Sequence, residues 1–176
     1  NFLSNTSLEA QIASLSDDIA YNSHDLEDGL KSNLFNLHDL KHIPILNKII
    51  LKHIKKTKKY SMDLVVRQII REIINEMGSD VIKTTIKNIK LNNIKTLKDV
   101  YKFKKQIISF SYQMKKFDIR IKHFLKEKMY FHKNVITKTN YGRKIIKKLF
   151  FKIKRNPKKY INIYKYDNSN LERIIC

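Results

Sequence analysis

A chain of 176 residues with 42% apolar and 30% charged side chains is long enough for a buried core and too apolar for disorder. Three glycines and two prolines leave few tight turns, which excludes an all-β fold and points to long helices. The net charge is +21, and the single cysteine, Cys176, excludes an intrachain disulfide framework and fits a reducing cytoplasm.

The first predicted element, residues 6 to 32, is the most informative. In SLEAQIASLSDDIAYNSHDLEDGL, Leu8, Ile12, Leu15, Ile19, Leu26 and Leu30 fall on one stripe at 100° per residue. Asp17, Tyr21, Asp25 and Asp28 lie on the other side, the first three at strict four-residue spacing. An acidic face of this kind is ordinarily a solvated one. Here Ala10, Ala13 and Ala20 border it, and small residues let another backbone approach, so the face is expected to be packed or to line a cleft. A carboxylate in that setting needs a metal ion or a donor.

Further helices are predicted at residues 45 to 59, 61 to 78, 79 to 94, 107 to 132 and 140 to 155. Between the first two, LFNLHDLKHIP carries His38 and His42 four residues apart, a weak metal pair so close to Pro44. His53, His123 and His132 are isolated among lysines and read as surface residues. KHIKKTKK, residues 52 to 59, reads as a solvated helix end. Gly78, Ser79 and Asp80 read as a C-cap followed by a new N-terminus. Lys102, Lys104 and Lys105 beside Tyr101 and Phe103 make an aromatic-interleaved basic patch open to single-stranded nucleic acid. Ile145, Ile146, Leu149, Phe150 and Ile153 form a stripe opposite Lys147, Lys148, Lys152 and Lys154; such a helix could lie on an anionic bilayer, but core packing is its expected use. Asn156-Pro157 ends that helix. Residues 161 to 170 read as an irregular connector, with Ser169 and Asn170 as an N-cap for LERIIC.

Charge divides unevenly. Residues 1 to 50 hold three Lys against seven acids, giving −4, and residues 51 to 176 hold 34 Lys or Arg against nine, giving +25. The cations are 31 Lys and six Arg, whereas readers of bases and phosphates favour Arg for its bidentate fork; composition drift in an A/T-rich genome is the expected source of the lysines, with attraction to substrate triphosphates or single-stranded nucleic acid as the alternative. No apolar run approaches the roughly 20 residues of a spanning helix, and no membrane partner is expected.

The segment SLEAQIASLSDDIAYNSHDLEDGLKSNLF resembles the deoxynucleoside triphosphate triphosphohydrolases, the dGTPase-like branch of the HD-domain metal-dependent phosphohydrolases. RQIIREIINEMGSDV, SFSYQMKKFDIRIKHFLKEKMYFHKNV and YGRKIIKKLFFKIKRNPKKY are similar, more loosely, to successive helices of the family's C-terminal half. The resemblance implies an all-α, multi-helical HD-domain-like bundle of which this chain is only the C-terminal half. Residues 1–33 would then hold the helix of the last metal ligand and 34–176 the C-terminal helical part, within a single all-α region truncated at both ends.

It also implies roles. Asp17 matches the final aspartate of an H…HD…D set holding Mg, Mn or Fe, with Asp18 as the neighbouring substitute. Tyr21 matches the tyrosine beside the deoxyribose, and Asp25 the carboxylate accepting from the sugar 3′-hydroxyl. The complete enzyme would convert a deoxynucleoside triphosphate and water to deoxynucleoside and triphosphate, as a homo-oligomer. No catalytic residue is assigned to this chain. The first His, the His-Asp pair and the histidine acid belong upstream of the sixteen residues that precede Asp17; His24-Asp25 and His38-Asp39 do not replace them. The other reading is an inactive basic helical module that binds nucleic acid or assembles an oligomer.

Overall fold

The structure, a computed structural model, describes residues 6–55, 59–160 and 171–175. Among them every regular element is helical, as expected, and the chain divides into two compact units, Asn1–Met129 and Tyr130–Cys176. The connector at 161 to 170, with its Ser169 and Asn170 cap, the middle of the 52 to 59 run and Cys176 lie outside the described residues.

In the first unit, α1 (Leu8–Lys31) starts where the Ser7 hydroxyl accepts from the Ala10 amide, capping an otherwise unpaired donor. It packs on α3 (Met62–Leu91) and α5 (Tyr112–Leu125), while α2 (Pro44–Ile54) packs on α3. The predicted stripe of α1 is only partly the buried one. Ile19 and Leu26 are buried and Leu8, Leu15 and Leu30 half-buried, but Ile12 is exposed, and Gln11, Asn22, Ser23 and Gly29 complete the inner face.

Residues 61 to 94 do not form two helices. Gly78 adopts no positive φ, so the chain runs on through it as the 30-residue α3. Asp80 caps a different helix: it accepts from the Ser111 amide at 2.8 Å and the Ser111 hydroxyl at 2.6 Å, at the start of α5. The helix expected from 107 begins only at Tyr112. Gln11 of α1 accepts from the amides of Ile107 and Ile108 at 2.9 and 3.1 Å, and Asn88 of α3 donates to the Ile107 carbonyl at 2.8 Å. A helix from 107 would pair the Ile107 carbonyl with the Ser111 amide, and these bond instead to Asn88 and Asp80. A short helix absent from the sequence reading, α4 (Leu97–Lys102), is set by a capping box of Thr96 and Asp99.

Gly29 is required where it stands, because a Cβ there would overlap the Phe35 ring. Phe35 is itself buried edge-on against Phe124, with centroids 4.8 Å apart. Gly29→Ala is expected to cost about 1 to 2 kcal/mol despite alanine's better helix propensity, since an overpacked core outweighs it. Gly78→Ala, with nothing within 4 Å of its Cβ, is the control and should gain up to about 1 kcal/mol. Urea unfolding of the two variants, read at constant m, checks both signs.

The second unit holds α6 (Lys133–Arg155), α7 (Pro157–Tyr160) and α8 (Leu171–Ile175), with α7 and α8 against α6. α6 starts seven residues before its predicted position, its amide at Asn134 received by the His132 ring. Core packing of its apolar stripe is not observed: α6 has no buried residue. Ile145, Ile146 and Leu149 are exposed, and Phe150 and Ile153 only half-buried.

Candidate functional site

The expected site helix, α1, divides along its length into two faces. Toward α5, Asn22 donates to Asp118 at 3.1 Å, both residues being buried. Lys122, one turn beyond, pairs with Asp118 at 3.0 Å and with Asp18 at 3.1 Å. Burial pulls the Lys122 ammonium down, and the carboxylates of Asp118 and Asp18 more than offset it, leaving its pKa above the ordinary lysine value. Asp18 is therefore engaged in joining α1 to α5.

Asp17, Tyr21 and Asp25 occupy the adjoining face at the predicted spacing. Asp17 is exposed and forms no ion pair with another described residue; Tyr21 is 60% exposed; Asp25 is half-buried and engaged. The expectation that this face is packed or lines a cleft is not met within the chain, since Ala10, Ala13 and Ala20 are all exposed. Helical periodicity identified the face correctly, but it cannot tell a surface covered by the same chain from one that is open.

The histidines fall differently from their sequence reading. His38 and His42 are not on a helix: Asn36 and Asp39 close a turn, in which the Asn36 side chain receives the His38 amide at 2.8 Å and the His42 ring meets the Asp39 carbonyl at 2.7 Å. His123 is exposed beside Glu127, and His132 caps α6. His53 is no surface residue. It is buried on α2, bonded to Glu72 of α3, which also takes Lys52 at 2.7 Å. Lys52, and after it His53, holds the Glu72 carboxyl below its usual range. A signal existed: Leu46, Ile49, Ile50 and His53 recur at helical spacing and all four are buried.

The concavities of this unit include two that bear on its charged residues. One of about 620 Å³, between α2, α3 and the start of α5, is lined by Lys48, Lys52 and Lys83 against Glu72, Glu76 and Asp80, a balanced set. The other, of about 640 Å³, includes the sequence's Lys102, Phe103, Lys104 and Lys105 together with Asn88 and Asn92. Phe103 is half-buried there, so part of the interleaved patch serves packing. Among the described residues no group of three or more His, Cys, Asp or Glu could hold a metal ion. No described helix is long and apolar enough to cross a membrane.

No protein-family model matches the chain. Several curated proteins do, each named deoxyguanosinetriphosphate triphosphohydrolase-like protein. The one from Pelagibacter ubique is 46% identical over 162 residues, covering 92% of this chain and 44% of the relative. That from Leptospira interrogans is 33% identical over 174 residues, covering 96% and 46%. The Neorickettsia sennetsu protein is 38% identical over 144 residues, covering 82% and 37%. The chain thus spans less than half the length of the curated relatives it matches. Similarity that runs through nearly every described helix, from α1 onward, places it among the deoxyguanosinetriphosphate triphosphohydrolase-like proteins, as the counterpart of a portion of them.

Proposed function

We propose that this chain is part of a metal-dependent deoxynucleoside triphosphate triphosphohydrolase, in which α1 supplies one metal ligand and two sugar-reading groups. The observation that carries the reading is the division of α1. Asp18 and Asn22 are engaged with α5, whereas Asp17 and Tyr21, one turn apart, face outward beside exposed alanines. Small residues there leave room for a second polypeptide surface to close over the carboxylate.

The described residues do not by themselves fit a divalent ion, since one exposed carboxylate cannot displace enough water to hold it. Asp17 is accordingly assigned one ligand position, and the remaining imidazoles and carboxylate of the HD pattern are assigned to sequence outside these residues. What α1 does alone is positional. Its helical rise places Tyr21 and Asp25 about 6 and 12 Å along the axis from Asp17, within the span of a phosphorylated deoxyribose. In this reading Tyr21 packs its ring on the sugar and Asp25 accepts from the 3′-hydroxyl. A carboxylate acceptor gives a charge-assisted bond of roughly twice the strength of a neutral one. We place the protein in the cytoplasm, where its one cysteine stays reduced.

The test is a triphosphate-release assay on dGTP with Mg or Mn. The chain alone should give no turnover above a blank. Joined to the upstream half of a related enzyme, it should release triphosphate and deoxyguanosine in equal amounts. Turnover by the chain alone that is lost in Asp17→Ala would mean that its own residues assemble a complete site, contrary to the reading.

A further inference from the structure

α6 combines three properties rarely left in water together. Residues 133 to 155 hold nine Lys or Arg and no carboxylate. Most cations gather on one side of the helix and Ile145, Ile146, Leu149, Phe150 and Ile153 on the other, as the 100° period gives, with Phe151 among the cations. Yet Ile145, Ile146 and Leu149 remain 47, 70 and 51% exposed.

Each class of cover is constrained by that charge. A second copy of this chain brings the same excess, 37 cations against 16 acids, and repels it. A nucleic acid would meet the lysines on the polar side and leave the stripe in water. A bilayer surface carrying anionic lipid accepts both at once. The stripe enters the boundary of the acyl chains while the lysine stems extend back and keep their ammoniums at the phosphates. Phe150 gives the stripe aromatic bulk suited to that depth, packed edge-on at 5.6 Å against Phe151, which lies on the lysine side. Around Phe151 the helix presents Lys144, Lys147, Lys148, Lys152 and Arg155, along one concave strip of about 620 Å³.

We infer that α6 is a peripheral membrane-binding helix, lying parallel to the plane of an anionic bilayer with Ile145, Ile146 and Leu149 inserted. Charge gives the attraction, worth about fivefold per lysine at the surface, and the stripe gives the insertion. The helix does not span, in keeping with its length of apolar sequence.

The whole chain has no tryptophan, so Ile146→Trp reports insertion without background. Mixed with phosphatidylcholine vesicles containing phosphatidylglycerol, its emission should shift to the blue; with pure phosphatidylcholine it should not move. In co-sedimentation of the unlabelled chain, Lys147→Gln with Lys148→Gln should weaken binding about thirtyfold. Ile145→Ser with Leu149→Ser should weaken it about tenfold or more, with circular dichroism unchanged. Three results would overturn the inference: no binding to anionic vesicles, binding indifferent to the two serines, or an unshifted tryptophan. Binding to oligo(dT) that persists in the serine variant while vesicles are ignored would assign the surface to nucleic acid.

Discussion

Asp17→Asn, in a protein made by joining this chain to a related upstream half, is expected to lower triphosphate release at least a hundredfold. The substitution is nearly isosteric but removes the negative charge that a hard cation requires of its ligand. Loss of a group that merely orients a metal ligand costs about 10- to 100-fold, and loss of the ligand itself should cost no less. Stability should not follow activity. Asp17 is exposed and forms no ion pair with another described residue, so the unfolding free energy should stay within about 0.5 kcal/mol of the parent. Raising Mg or Mn should recover part of the rate in the variant but not alter the parent. Asp18→Asn should show the opposite pattern, with activity retained, because its carboxylate serves Lys122.

Asp118→Ala should be the most damaging single change in the α1 to α5 contact, about 3 kcal/mol by urea unfolding. It strands the buried Asn22 amide, which donates to Asp118, and it deprives Lys122 of the nearer of its two carboxylates. An unpartnered buried amide costs about 1 to 3 kcal/mol. The ion pair adds less, since the Lys122 side chain is 42% exposed and water screens it. Asp118→Asn keeps an acceptor for Asn22 and should cost under about 1 kcal/mol. Equal losses in the two variants would show that charge, and not satisfaction of Asn22, holds α1 in place.

The helical class and the α1 register were legible because both depend on periodicity within one segment. Four-residue spacing put Asp17, Tyr21 and Asp25 on one face before any tertiary contact was known. Gln11, Asn22 and Asp118 were not legible for the converse reason: they are polar, and each is buried only by a partner some 96 residues away. Long-range bonds also explain the late start of α5, where Asn88 takes the Ile107 carbonyl and Asp80 the Ser111 amide that a helix from 107 would pair. Gly78-Ser79-Asp80 misled differently. Glycine permits a left-handed stop but does not force one, and Asp80 was a cap for Ser111 rather than for its own neighbours. His53 shows a residue judged by its neighbours in sequence, KHIKK, when its position in the α2 stripe was the better guide. The metal ligand and sugar roles came from family resemblance alone; residue spacing could show a shared face, but not what that face holds.

On our proposal one face of α1 reads deoxyribose, and sugar discrimination in the joined enzyme would reveal it. The measurement is kcat/KM for dGTP and GTP in the parent, Tyr21→Ala and Asp25→Asn. Asp25→Asn should lower use of dGTP by roughly ten- to a hundredfold, the loss of a charged hydrogen bond worth about 1.5 to 3 kcal/mol, with the metal dependence unchanged. Tyr21→Ala should open space beside C2′ and narrow the gap between dGTP and GTP. Parental kcat/KM values in both variants, with an unaltered ratio of dGTP to GTP, would contradict the claim and return Asp17, Tyr21 and Asp25 to an ordinary solvated helix face.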